Sequence, residues 1–295
     1  MNEEIHKPVL VEQVLSALQP QAGESYLDLT AGYGGHASEI LAITRSQKDA
    51  RTVLVDRDDF AVDYLTQKFG TEAEIRHESF YDAALSLTNS GVKFDIILAD
   101  LGVSSPQLDN SERGFSFRAE GPLDMRMDKT LKLTAERILN KWREKEISAV
   151  FEKYGEISPR AAARTAKMIV HHRPWQTTTQ LATAIAGTDD WHGKHHPATQ
   201  YFQALRIMVN DELGQLEKTL ELIPGLLNPG GRVGIITFHS LEDRIVKNFF
   251  RNETSKGEES ELEILTKKPL VAEKSELVIN PRARSAKLRA ARRRN

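Results

Sequence analysis

In the first hundred residues, short apolar runs alternate with segments whose apolar residues recur every three or four positions. The runs are YLDLT, RTVLVD, AEIRHESF and FDIILADL, and the helical stretches include residues 37–43 and 60–69. Strands that read as continuous Val/Ile/Leu are buried on both faces, so this order predicts a parallel sheet with helices covering it. The pattern resumes near Gly230 with PGGRVGIITF, and LEILTKKPLV and SELVI then read as further strands at a sheet edge.

Between these halves the strand signal disappears. AERILNKWREKEISAVFEKYG, PRAAARTAKMIVHHR and TTTQLATAIAG carry helical periodicity. Ser158 with Pro159, and the threonines at 177–179, predict helix starts, while Gly155 and Gly187 predict stops. One long helix over residues 199–222 is expected to lead back to the sheet. Residues 254–263, rich in Ser, Glu and Lys, read as a surface loop. The organisation is therefore a sheet domain in two parts, residues 1–107 and 209–295, interrupted by a helical insertion over 108–208.

Composition narrows the class. Of 295 residues, 40% are hydrophobic and 28% charged, and no apolar run approaches membrane-spanning length, so a globular cytoplasmic protein is expected. The opening MNEEIHKPVL is too acidic and polar for a signal peptide. Cysteine is absent, which excludes disulfides, thiolate metal sites and any cysteine nucleophile. The net charge of -2 hides an uneven distribution, because the last fifteen residues, PRARSAKLRAARRRN, hold seven Lys/Arg and no acid. Such a tail suits either contacts with nucleic-acid phosphates or a solvated, frayed terminus.

The chemistry concentrates where strands end, since ligands of open parallel sheets sit at the strands' carboxyl ends. YLDLTAGYGGHA runs from an apolar strand into a glycine turn in which Gly32, Gly34 and Ala37 match the loose dinucleotide spacing. Asp28, four residues before Gly32, would repel a pyrophosphate and attract the cationic sulfonium and amino group of S-adenosylmethionine. Asp56 ends the second strand at the distance at which an acid accepts from ribose hydroxyls; capping the next helix is its alternative role, one that Asp58 fills equally well. Phe80, after the third strand, can lie on an adenine ring or serve as a core aromatic. The fourth strand ends in LADLGVSSPQLD, where Asp100, Ser104 and Ser105 offer a carboxylate and two hydroxyls to an amine that a methyl group is to attack in line. These are the candidate catalytic residues.

Other features bear on substrate. RGFSFRAEGPLDMRMD mixes Arg113, Arg118 and Arg126 with Phe115 and Phe117, a combination suited to RNA phosphates and unstacked bases. In FHSLEDR, His239 stands at a strand end near the expected entry of a substrate base, with Ser240 and Asp243 as a helix cap. Arg113, Phe115, Arg126 and His239 are thus the candidate RNA contacts. His171, His172, His192, His195 and His196 lack a carboxylate at ligand spacing, and no metal site is expected.

The chain resembles the bacterial small-subunit ribosomal RNA methyltransferase H (MraW-like) family. The resemblance rests on HKPVL, AGYGGH, DLGVSSPQLD, ERGFSF with GPLDMRMD, HPAT with FQALRIMVNDEL, FHSLEDRIVK and NPRARSAKLR, which together span nearly the whole length. It implies an α/β fold, Rossmann-like and S-adenosylmethionine-dependent, with an inserted all-helical domain. It also implies a donor-binding set of Gly34, Gly35, His36, Asp56, Phe80, Asp100 and Gln107, and N4-methylation of a cytidine in the decoding region of 16S ribosomal RNA within the small subunit. An NAD-dependent oxidoreductase, using the same glycine turn, and a non-catalytic RNA-binding factor are the alternatives.

Overall fold

The computed structural model describes residues 8–45, 50–188 and 196–295. Its contacts divide the chain into two units, Met1–Gly102 with Leu213–Asn295, and Val103–Glu212. Among the described residues no helix is long and apolar enough to cross a membrane.

The first unit begins with α1 (Val11–Leu18) and then alternates: β1 (Tyr26–Asp28), α2 (Gly35–Thr44), β2 (Thr52–Asp56), α3 (Asp59–Phe69), β3 (Glu74–His77), α4 (Phe80–Asn89) and β4 (Phe94–Asp100). The second unit contains α5 (Ser105–Asp109), α6 (Ala135–Lys141), α7 (Glu144–Gly155), α8 (Pro159–His171), α9 (Thr178–Ala186) and α10 (Ala198–Asn210). The chain returns through α11 (Glu212–Leu226) to β5 (Leu227–Thr237), α12 (Ser240–Ser255), β6 (Leu262–Ile264), β7 (Leu270–Val271), α13 (Lys274–Ile279) and β8 (Lys287–Arg293).

The strands form one sheet in the order β3-β2-β1-β4-β5-β8-β6, with β7 also paired to β8. β1 to β5 run parallel, and β8 joins β5 antiparallel. Both faces are covered, as continuous apolar strands require. Val53, Val55, Ile97, Val233 and Ile235 pack on one face with α4, α11 and α12. Leu54, Ile96, Leu98 and Ile236 point the other way, against α1, α2 and α3. Strand order reverses between β1 and β4, which places the crevice for a ligand at their carboxyl ends.

Three expectations change. SELVI is not a strand but most of α13, where Leu277 packs into the core and Val278 and Ile279 face outward. The long helix over 199–222 is instead two: Asp211 adopts a left-handed φ of 47°, and the preceding Asn210 is locked by its amide to Met127 N–H, Met125 C=O and Arg206 C=O. α7 does stop at Gly155 as expected, with Glu156 as the left-handed cap, and a Cβ on Gly155 would come 3.0 Å from the Gln200 carbonyl. Most of the presumed loop over 254–263 is ordered into the end of α12, a short 3₁₀ turn and β6.

Beyond Ser285, the basic C-terminus is neither frayed nor an arm. It is β8, an interior strand with Leu288, Arg289, Ala290 and Ala291 buried. Its cations are neutralised within the fold. Arg289 Nε lies 2.7 Å from Asp243 Oδ1, and Arg292 and Arg293 pair with Glu263 and Glu261. Arg293 also donates to the carbonyls of Pro224 and Leu227. Burial works against charge on Asp243, yet the hydrogen bond from Arg289 and the charges of Arg289 and Lys287 hold its carboxyl below the usual range.

Because β8 carries six register pairs with β5 and all the pairing of β6 and β7, a chain shortened to residue 280 is expected to lose its cooperative thermal transition. Circular dichroism melting checks this, and a chain lacking only Asn295 should melt as the full protein does.

Candidate functional site

The glycine turn after β1 is shaped from beneath. Gly32 and Gly34 have φ of 53° and 70°, in the region where only glycine is unstrained. A Cβ on Gly34 would meet the Phe69 ring at 2.3 Å, and one on Gly35 would meet Pro8 at 3.1 Å. These two glycines therefore make room for the protein's own packing as much as for a ligand. Gly32 alone has open space at its Cβ position, with only the Thr30 carbonyl at 3.9 Å.

Asp28 does not face the turn as a bare carboxylate. It is 2% exposed, accepts from the Tyr26 hydroxyl at 2.7 Å and from Thr30 N–H at 3.1 Å, and so braces the turn from inside. Burial raises its carboxyl from 3.8 to about 7 against the lowering effect of those two bonds. Its charge is thus partial near neutrality, and the preference for a cationic ligand falls mainly to other acids.

Asp56 is one of them. Its Oδ2 accepts from Gly32 N–H at 2.8 Å and its Oδ1 from Asp58 N–H at 2.9 Å, so one carboxylate joins the turns after β1 and β2. Asp58 caps α3 by accepting from Phe60 N–H. That leaves each Asp56 oxygen a second lone pair for a ligand hydroxyl. Burial raises the Asp56 carboxyl despite both bonds. Phe80 opens α4 behind the cap Ser79 and packs partly on the core.

Asp100 ends β4 at the switch point, with its N–H bonded to Thr30 Oγ1 at 2.5 Å. Its Oδ1 is buried and has no hydrogen-bond partner among the described residues, while Oδ2 lies 4.0 Å from Nε2 of the buried His36 in the first turn of α2. Burial, then the charges of Asp28 and Glu242, push its carboxyl well above the usual range. A buried acceptor of this kind is costly unless a donor arrives. A ligand N–H satisfies it, and a nearby cation favours its ionised form.

Glu242 escaped the reading of the sequence. His239, not Ser240, caps α12, and the capping-box acid is therefore Glu242 rather than Asp243. The Glu242 carboxylate accepts from Phe238 N–H at 2.8 Å and lies 3.1 Å from His239 Nε2. The signal was present as His-x-x-Glu, a cap pattern disguised by an unusual capping residue.

In the helical unit, Ser104 caps the short α5 and its N–H donates to Gln107 Oε1 at 3.0 Å; Ser105 is the first residue of that helix. Three expected RNA contacts are turned inward. Arg113 is buried and donates to the carbonyls of Arg126 and Met127, and Phe115 lies in the unit's core. Arg126 binds Asp124 through Nε and Nη2 and the carbonyls of Lys129 and Leu131 through Nη1. These groups fold the block instead of presenting it, because each guanidinium satisfies carbonyls the loop cannot pair itself. Of the histidines, His171 and His172 stack edge to face, His196 lies against Phe117, and His192 and His195 fall outside the described residues, as do His6 and Lys7 of HKPVL.

The sequence profile of the MraW methylase family matches residues 3–294. Proteins named ribosomal RNA small subunit methyltransferase H are similar over nearly the whole chain. That of Rippkaea orientalis is 47% identical over 292 residues, covering 98% of this chain and 92% of that protein. The Synechocystis protein is 45% identical over 296 residues, covering 96% and 92%, and the Halothermothrix orenii protein 43% identical over 310 residues, covering 98% of each.

The raised Asp28 carboxyl has a consequence for stability. With an unfolded value near 3.8 and a folded value about 7, its contribution is full below pH 4 and is lost as pH rises toward 7, a change on the order of 4 kcal/mol. Asp28→Asn should flatten the pH dependence of denaturant unfolding between pH 4 and 7, and an unchanged slope would show that another group carries it.

Proposed function

Because the chain belongs to the MraW methylase family of S-adenosylmethionine-dependent methyltransferases, we propose that it methylates the exocyclic N4 of a cytidine in the decoding region of 16S ribosomal RNA within the small subunit. The relatives' names supply the class of RNA. The amine is read from the residues, and the observation that carries it is the buried, partnerless Oδ1 of Asp100 at the switch point.

The residues fit the donor. The Gly32 turn is open on its outer side, Asp56 offers paired acceptors for ribose hydroxyls, and the charges acting on Asp100 come from acids, which suits a cation and disfavours a dinucleotide. Bound there, the donor supplies an electrophilic methyl group. Phe80 offers a face for adenine, and His36 with the start of α2 bounds the pocket beside Asp100. Gln107 is the remaining donor-set residue, and its side-chain oxygen also serves its own helix start.

Asp100 accepts an N–H of the cytidine amine. A hydrogen bond to that N–H draws the nitrogen lone pair out of conjugation with the ring and aims it at the carbon to be attacked. Once ionised beside the bound sulfonium, Asp100 is a stronger base than an exposed aspartate, so it is suited to hold the proton that the nitrogen releases. Ser104 and Ser105, a few residues further along the chain, are the proposed second source of acceptors, and His239 faces the base. A stacked amine cannot be reached in line, so the base must be unpaired or everted. The lack of cysteine agrees with an amine target, since attack at pyrimidine C5 requires a thiolate adduct.

Incubating unmodified small subunits with the protein and methyl-labelled donor should produce N4-methylcytidine on nucleoside mass analysis; label in another nucleoside, or none, defeats the proposal. Asp56→Ala should weaken donor binding by at least about tenfold in calorimetry, the scale of losing two charge-assisted acceptors, while the protein still melts cooperatively.

A further inference from the structure

Residues 271–284 form a surface that the proposed chemistry does not use. Val278 is 83% exposed, Ile279 64% and Val271 55%, the three most exposed large apolar side chains among the described residues. Val278 and Ile279 are adjacent in the chain, and exposed apolar groups rimmed by polar residues are the composition of interaction surfaces. Cations are interleaved with them: Lys267, Lys268, Lys274, Arg282 and Arg284 are exposed, against the acids Glu273 and Glu276. Glu276 is already committed, accepting from Leu10 N–H at 2.7 Å.

Two tethers fix this segment at the site's end of the sheet. β7 pairs with the start of β8, Val271 with Lys287, and Lys287 in turn pairs with Thr237, two residues before His239. On the other side, the Glu276 bond holds α13 to Leu10, and Pro8 lies against Gly35 of the donor turn. The surface thus borders both the glycine turn and the end of β5.

We infer that residues 271–284 dock the RNA strand flanking the target base, with Lys274, Arg282 and Arg284 on phosphates and Val278 and Ile279 against the bases left unstacked. This rests on the proposed RNA substrate and adds where that substrate is held. Charge complementarity favours a polyanion, since with Lys267 and Lys268 just before the segment five cations stand against two acids. The aliphatic pair suits a wedge beside an everted base, a role that Ile and other apolar side chains play when base steps are opened. Neither group touches the methyl donor.

The test compares wild type with the double variants Val278→Ser/Ile279→Ser and Lys274→Ala/Arg284→Ala. It measures methyl transfer to unmodified small subunits, donor affinity by calorimetry, binding of a labelled single-stranded RNA by anisotropy at several salt concentrations, and sedimentation. KM for subunits should rise roughly tenfold in each variant with kcat and donor affinity kept. In the charge variant the slope of log affinity against log salt should fall by about two, one for each phosphate no longer neutralised. Unchanged KM and RNA affinity in both variants overturn the inference, as does a shift in self-association with RNA affinity intact, which would make the patch an interface between copies. Wild type that transfers no methyl group defeats the proposed reaction instead, and the anisotropy comparison still decides the surface.

Discussion

A single carboxylate organises the carboxyl end of the sheet. Asp56 accepts from Gly32 on one side and from Asp58 on the other, so the turns after β1 and β2 are held as one rigid rim. The hydrogen bond to Gly32 is possible only because glycine accepts the left-handed conformation there, and because Phe69 and Pro8 occupy the space that side chains at 34 and 35 would need. The binding loop is therefore a product of the packing beneath it. Asp28 completes the arrangement from below, as a buried acid whose bonds to Tyr26 and Thr30 fix the turn's start.

This architecture divides two tasks among chemically similar residues. Asp28 is enclosed and largely structural; Asp56 is partly used and keeps lone pairs at the rim; Asp100 keeps an oxygen with no internal partner. Three aspartates at the ends of adjacent strands thus differ by what already binds them, not by type. Glu242 reinforces the acidic character from the end of β5, as its influence on Asp100 shows.

Much of this was legible in the chain. Parallel strands are recognisable because burial on both faces demands uninterrupted apolar residues, and β1, β2, β4 and β5 obey that rule. Thr177 was readable as a cap because hydroxyl capping is local, and Ser158 with Pro159 as a helix start because proline fits the first turn. What failed was non-local. SELVI has β propensity yet forms α13, since Leu277 alone finds the core and the Glu276 bond to Leu10 orients the turn. The arginines of the last strand look like a nucleic-acid arm until Asp243, Glu261 and Glu263 come into view, all distant in sequence. Arg113 and Arg126 mislead similarly, because a guanidinium that ties carbonyls and one that binds phosphate are the same residue on paper. Glu242 was hidden by a histidine cap, and the bracing role of Asp28 by the Tyr26 hydroxyl two residues away.

The position of β8 governs when the fold can exist at all. β5 is made well before its antiparallel neighbour, and until β8 emerges it presents an open row of amides and carbonyls, the kind of edge that recruits foreign strands. Nascent chains of this protein therefore carry a vulnerable flank during synthesis, and β8 acts as the clasp that closes it.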